Sequence, residues 1–191
     1  IGAIAGNPAT EEEMFALKQL MTSLGSTSID CRQDGAALDP SLGRASYIFN
    51  PTIDGIEDAD AILIIGSNPR REAAILNARI RKRWRMSELP IGLIGEQADL
   101  RYSHEYLGAG PETLKDLVDG TNKFAAKLKR AKKPMIIIGQ SALARGDGAG
   151  VLANAAKLAD AVGAVKGDWN GFAVLHTAAA RVGGLDLGLV P

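Results

Sequence analysis

Asp60-Ala61-Ile62-Leu63-Ile64-Ile65-Gly66-Ser67-Asn68-Pro69-Arg70 decides how the fold is read. The apolar run is too short for a buried helix and suits a strand covered on both faces. Gly66 to Pro69 is a turn signal, with Pro69 suited to the first turn of a helix. The residues that follow predict one long helix over 70–86. Its apolar face is Ala73, Leu76, Ile80 and Trp84, with Arg79, Lys82 and Arg83 pointing outward. Pro90-Ile91-Gly92-Leu93-Ile94-Gly95 supplies the next short strand. Strand, turn, helix and strand, with continuous apolar strands, is the βαβ pattern of a parallel sheet.

The same rhythm returns downstream. After a helical region over 111–131, Lys133-Pro134 opens the strand Met135-Ile136-Ile137-Ile138, which ends at Gly139-Gln140-Ser141. A glycine-rich loop over 145–150 leads into a helix carrying Val151, Ala155, Leu158 and Val162 on one face, with Gly163 as its stop signal. Upstream, residues 1–5 and 28–31 are short candidate strands. Between them Thr10 and Glu13 have the spacing of a capping box, and Met14, Leu17, Met21 and Leu24 mark one helix face that Gly25 terminates. Residues 34–51 read as a long loop of the kind often used for function or an interface. The tail over 166–191 is apolar, carries five glycines and keeps no period, so it is expected to pack against something outside the chain. The two strand–turn–helix units give two α/β halves, drawn as 1–110 and 111–191, with a helical lead-in to the second.

Composition narrows the function. Of 191 residues, 46% are hydrophobic and 23% charged, which excludes disordered and fibrous classes. Lys plus Arg total 22 and Asp plus Glu total 22, so there is no basic surplus for nucleic acid or an anionic membrane. No apolar run approaches the roughly 18 residues that span a bilayer. The lone Cys31 excludes internal disulfides and any all-cysteine metal or iron–sulfur site built from this chain alone. Ile1 stands where an initiator Met is expected, and no signal peptide accounts for it, so the chain reads as a segment of a longer polypeptide.

Gly66-Ser67-Asn68-Pro69 and Gly139-Gln140-Ser141 are the two places where a strand ends in glycine and feeds a helix. Backbone N–H groups at such a turn can hold a phosphate or another anion. Neither stretch is a Walker loop or G-x-G-x-x-G, and each reads equally as a turn that needs glycine for steric reasons. Two basic clusters, Arg79, Arg81, Lys82, Arg83 and Arg85, then Lys127, Lys129, Arg130, Lys132 and Lys133, suit helix C-termini or contact with an acidic partner. His104 and His176 lie outside any metal-ligand spacing, and Cys31 between Asp30 and Arg32 reads as a structural cysteine at a strand end. No nucleophile, base and orienting group come together in the pattern.

Several strings carry a specific resemblance. Glu13-Met14-Phe15-Ala16-Leu17-Lys18, Leu24-Gly25-Ser26 and Asp30-Cys31-Arg32-Gln33-Asp34-Gly35 resemble the large iron–sulfur subunit of respiratory complex I, NADH-quinone oxidoreductase. So do Ile64-Ile65-Gly66-Ser67-Asn68-Pro69-Arg70 and Leu76-Asn77-Ala78-Arg79-Ile80-Arg81, and the likeness runs along essentially the whole sequence. The resemblance implies two Rossmann-like parallel-sheet units of the molybdopterin oxidoreductase architecture shared with formate dehydrogenase and DMSO reductase. It implies that the 2Fe–2S and 4Fe–4S clusters of the parent subunit lie upstream of Ile1, leaving no cofactor in this segment. Gly66, Ser67, Asn68 and Pro69, with Gly139, Gln140 and Ser141, match turns that line the pterin dinucleotide in the molybdoenzymes and become vestigial cofactor positions. The expected partners are other subunits of the peripheral arm, on the cytoplasmic side of a bacterial inner membrane or the mitochondrial matrix side, with no nucleic acid and no membrane insertion. On this reading the segment is structural within an electron-transferring NADH:quinone oxidoreductase. The alternative is a cofactor-binding piece of a true molybdopterin-dependent oxidoreductase.

Overall fold

The computed structural model describes all 191 residues. In chain order, β1 (Ala3–Ile4), α1 (Glu11–Ser23) and β2 (Ile29–Asp30) form a small βαβ unit whose two strands pair in parallel. A segment with three short 3-10 turns (Pro40–Leu42, Arg44–Ser46, Asp54–Asp58) leads to β3 (Ala61–Ile65). Next come α2 (Pro69–Glu72), α3 (Ala74–Met86), β4 (Ile91–Ile94) and β5 (Glu105–Gly108). They are followed by α4 (Pro111–Val118), α5 (Lys123–Arg130), β6 (Pro134–Ile138), α6 (Gln140–Leu143) and α7 (Gly148–Val162). The chain ends with the hairpin β7 (Val165–Lys166) and β8 (Trp169–Asn170), then β9 (Phe172–Val174) and α8 (Arg181–Asp186).

Five strands form one parallel sheet in the order β5-β4-β3-β6-β9. Both strand–turn–helix units are present, and the β3–β6 ladder, from Ala61↔Pro134 to Ile65↔Ile138, joins them across residue 110 into this one sheet. Counted from β3, the order is 3-2-1-4-5, so the topology reverses direction between β3 and β6. The continuous apolar runs are explained by burial on both faces. Ala61, Leu63, Ile65, Ile136 and Ile138 enter the larger core, with α4, α5 and α7 over it. Ile62, Ile64, Met135 and Ile137 enter the smaller core, under Ile80 of α3 and Ile56. Each such side chain contributes about 1.5–3 kcal/mol by leaving water.

Local chemistry sets the boundaries. Thr10 and Glu13 make the capping box in both directions: Glu13 N–H donates to Thr10 Oγ1 at 3.3 Å, and Thr10 N–H donates to Glu13 Oε2 at 2.8 Å. Gly163 ends α7 in the left-handed conformation, with φ 72°.

Three expectations need correction, and one element had no sequence signal. The helix over 70–86 is broken at Ala73, whose φ of −146° and ψ of 63° leave the helical region, so α2 and α3 are separate. On α3, Ile80 is fully buried but Leu76 and Trp84 only half-buried, while Asn77 occupies a buried position and receives a hydrogen bond from the Tyr102 hydroxyl at 2.9 Å. Glu105–Gly108, where the sequence shows no strand pattern, adds the edge strand β5. The tail packs within the chain: Phe172, Ala173, Val174, Leu185 and Leu189 are all buried, and β9 completes the sheet.

Candidate functional site

The carboxyl ends of β3 and β6 carry the two glycine turns to the point where the topology reverses, the usual place for a ligand crevice in an open α/β sheet. Here the two turns touch. A Cβ on Gly139 would lie 2.2 Å from the Gly66 carbonyl oxygen, and one on Gly66 would lie 2.5 Å from Ala142 Cβ. Gly66 also has φ +57°, so both positions require glycine, one for closeness and one for closeness and conformation. Gly139 N–H donates to the Ile65 carbonyl at 2.8 Å, Gly66 N–H donates to the Ile94 carbonyl at 2.8 Å, and the Ser141 hydroxyl donates to the Gly66 carbonyl. The switch point is therefore stitched shut at its base.

Above this base lies an open cavity of about 310 Å³, lined by Gly66, Ser67, Asn68, Glu72, Gly95, Glu96 and Arg145 among others. Two donors of the Gly66 turn are already used. The Ser67 hydroxyl donates to Glu72 Oε2 at 2.8 Å, and Asn68 N–H donates to Glu72 Oε1 at 2.9 Å. Glu72 belongs to the turn's own helix, one residue before the break at Ala73, so the chain supplies its own carboxylate where a phosphate oxygen would sit. Arg145, the cation of the lining, is held as a fork on Asp147 (Nε to Oδ1 2.7 Å, Nη2 to Oδ2 3.0 Å). The same fork holds the Asp147 carboxyl below its ordinary range. A pterin dinucleotide brings phosphates; it would meet the Glu72 and Glu96 carboxylates with no free cation to offset them. The residues present do not fit that group.

The sequence-selected residues thus come together as Gly66, Ser67, Asn68 and Ser141 on the cavity and Gly139 beneath it, with Pro69 buried in the first turn of α2. Gln140 is buried beside them in the sequence, and neither of its amide atoms has a hydrogen-bond partner. Glu72 was missed; a glutamate four residues after Asn68 is the signal that could have found it.

The remaining candidates lie outside this crevice. Cys31 is buried, and burial pushes its thiol up, which is the opposite of a reactive thiolate. His104 Nδ1 lies 3.2 Å from the Tyr102 carbonyl. No group of three or more His, Cys, Asp or Glu side chains is placed to hold a metal ion. The basic clusters are partly neutralised from within. Arg79 and Lys82 share the Glu57 carboxylate, Lys127 pairs with Glu105, and Lys133 pairs with Asp58 at 2.9 Å. Arg79 and Lys82 are therefore not a free outward face. Arg81, Arg85, Lys129 and Arg130 remain exposed.

A five-stranded parallel sheet of this order, with glycine turns at its reversal point, defines a Rossmann-like α/β fold of the dinucleotide-binding type. The family is more specific: residues 1–191 match the molybdopterin oxidoreductase family, and the chain belongs to it. It is 42% identical over 191 residues to NADH dehydrogenase [ubiquinone] iron-sulfur protein 1, mitochondrial, of Solanum tuberosum, covering all of this chain and 26% of that protein. It is also 42% identical over 188 residues to an NADH-quinone oxidoreductase subunit of Rickettsia conorii, covering 98% of this chain and 28% of that protein. The chain thus corresponds to about a quarter of the length of these relatives. Among solved structures, the formyltransferase/hydrolase complex of Methylorubrum extorquens contains a polypeptide that matches with a TM-score of 0.64 and 18% identity, over all of this chain and 59% of that one. At that identity the likeness concerns the fold alone.

Proposed function

We propose that this chain is a structural and interaction segment of the large iron–sulfur subunit of an NADH:quinone oxidoreductase, with a molybdopterin crevice that is vestigial. The observation that carries the reading is the 42% identity to two such subunits along essentially the whole chain. The self-occupied turn supports the vestigial part, because Glu72 takes the donors a cofactor phosphate needs. In this reading Gly66, Ser67, Asn68, Pro69, Gly139, Gln140 and Ser141 keep the geometry of a cofactor crevice without the cofactor. The segment holds no redox centre of its own, and electrons pass through iron–sulfur clusters in another part of the subunit. Its contribution is a rigid sheet that presents exposed basic residues, Arg81 and Arg85 on α3 and Lys129 and Arg130 on α5, to acidic surfaces of neighbouring peripheral-arm subunits. No helix is long and apolar enough to cross a membrane. The proposed position is peripheral, on the cytoplasmic or mitochondrial matrix side.

The test is to tag the full-length polypeptide in its own cells and purify it with its partners. Co-purification with NADH-oxidising, quinone-reducing activity, lost when Arg81 and Arg85 are both reversed to Glu, is the expected result. Purification without NADH oxidation, together with a molybdenum-dependent activity, would overturn the proposal in favour of a true molybdopterin oxidoreductase.

A further inference from the structure

The small unit β1–α1–β2 leaves one strand edge open. Ala3 N–H donates to the Ser28 carbonyl and Ala5 N–H to the Asp30 carbonyl, both at 2.9 Å, so these two residues face β2. Alternate residues of a strand turn their backbone groups to opposite sides, so the Ile4 N–H points away from β2. No strand of this chain pairs there, because this sheet has only two strands. The far side of β2 is already engaged just past its end, where Cys31 N–H donates to the Leu189 carbonyl at 3.0 Å.

The open edge is apolar. Ala3 pairs in register with Ile29, which is buried with Met14 and Met21 of α1, so the intervening Ile4 points to the opposite face of the sheet. Ile4 is 67% exposed there, opposite Asp30, whose carboxylate is held by Arg32. Before it, Ile1 is 83% exposed. The Ser26 hydroxyl donates to the Ile1 carbonyl at 2.5 Å and ties it to the turn that follows α1, where Leu20 and Leu24 are also exposed. Natural edge strands are blunted by charge, proline or a bulge. Ile1-Gly2-Ala3-Ile4-Ala5 has neither charge nor proline. Parallel sheets are ordinarily covered on both faces, and the face that carries Ile4 is bare.

We propose that β1 is an inner strand of a larger sheet, and that an apolar strand from another part of the same polypeptide pairs along its open edge. The inference rests on the reading of this chain as a segment of the longer subunit. The chain corresponds to 26% and 28% of its two relatives, so most of such a subunit lies outside these residues. A strand on the same polypeptide reaches the edge at high effective concentration, ahead of a neighbouring subunit or a second copy. Pairing gives the Ile4 N–H an acceptor and takes Ile4 and Ile1 out of water.

Residue-resolved hydrogen exchange on the unsubstituted full-length protein, purified with its partners, tests this. The Ile4 amide should exchange at least about a thousandfold more slowly than in an unstructured chain, as amides of inner strands do. Fast exchange at Ile4 beside slow exchange at Ala3 and Ala5 would mean an open edge and overturn the proposal. Ile4→Lys is nearly neutral on a bare face but should lower the melting temperature by several degrees under a covering strand. An unchanged melting temperature would count against the strand in the same way. A photo-crosslinking residue in place of Ile4 identifies the occupant. The expected link is to a stretch of the same polypeptide outside these 191 residues. Linkage to another subunit or to a second copy would overturn the assignment. NADH oxidation by the same preparation separates the two readings: an open edge with that activity intact overturns this inference alone. The exchange measurement stands even if a variant fails to fold.

Discussion

The crevice above Gly66 and the corner around Arg181 lie at the same edge of one sheet and are opposites in their chemistry. The crevice has the shape of a site, with an open cavity at the topological reversal, yet the Ser67, Asn68, Ser141 and Arg145 donors are taken by the chain itself, through Glu72, the Gly66 carbonyl and Asp147. The corner has no comparable opening, yet Arg181 and His176 are left with unfilled hydrogen-bonding atoms. Shape and glycine pattern therefore mark a crevice without saying what fills it, which depends on where the side chains spend their hydrogen bonds. In the crevice the Glu72 carboxylate takes donors that an anion could use.

The largest expected effect separates the two regions by charge. Asp34→Asn leaves the buried Arg181 without its counter-ion and should cost about 3–5 kcal/mol in chemical denaturation. Arg181→Met should cost less, because the Asp34 it abandons is partly exposed and reaches water. Should the two substitutions cost the same, the corner is governed by packing rather than by charge.

Next comes closeness in the crevice. Gly139→Ala places a methyl group 2.2 Å from a backbone carbonyl and should cost about 3 kcal/mol, with Ser67 displaced. An unchanged melting temperature would mean that the turns are not in contact. Glu72→Ala should cost only about 1 kcal/mol, since the freed donors at Ser67 and Asn68 can turn to water. The informative readout is inorganic phosphate, which should raise the melting temperature of Glu72→Ala and leave the unsubstituted chain unaffected.

The pH dependence is smaller and tied to His176. Burial holds its folded pKa below the ordinary value, so the unfolded chain binds more protons in the window between the two. Stability should therefore fall as pH drops through about 6.5 toward the folded value. His176→Gln should remove that slope. The smallest effect is expected for the double reversal of Arg79 and Arg83 to Glu. Arg79 shares Glu57 with Lys82 at the surface and Arg83 reaches only Ser87, so Ile80→Ala on the same helix should cost several times more.

These contrasts explain what could be read from the sequence. The Ala61-to-Ile65 run, the Thr10–Glu13 capping box and Gly163 declared themselves because each is a local pattern whose physics is complete within a few residues. Edge strand β5 was hidden because Glu105 and Tyr106 are exposed and no continuous apolar run marks it. The break at Ala73 carries no Pro or Gly; it sits next to the Glu72 carboxylate that folds back on the turn. The site turns were legible as glycine positions, but their occupant was not, since it depends on side-chain geometry. Arg181, Asp34 and His176 are brought together by tertiary packing from distant stretches, and no spacing rule reaches them.

The proposed loss of the cofactor rests on Glu72 holding the Ser67 and Asn68 donors of the crevice. The most direct test is molybdenum and pterin analysis of the full-length protein, purified natively with its partners. Self-occupation by Glu72 predicts no released pterin and molybdenum far below one atom per chain. Near-stoichiometric molybdenum with a pterin dinucleotide would contradict it.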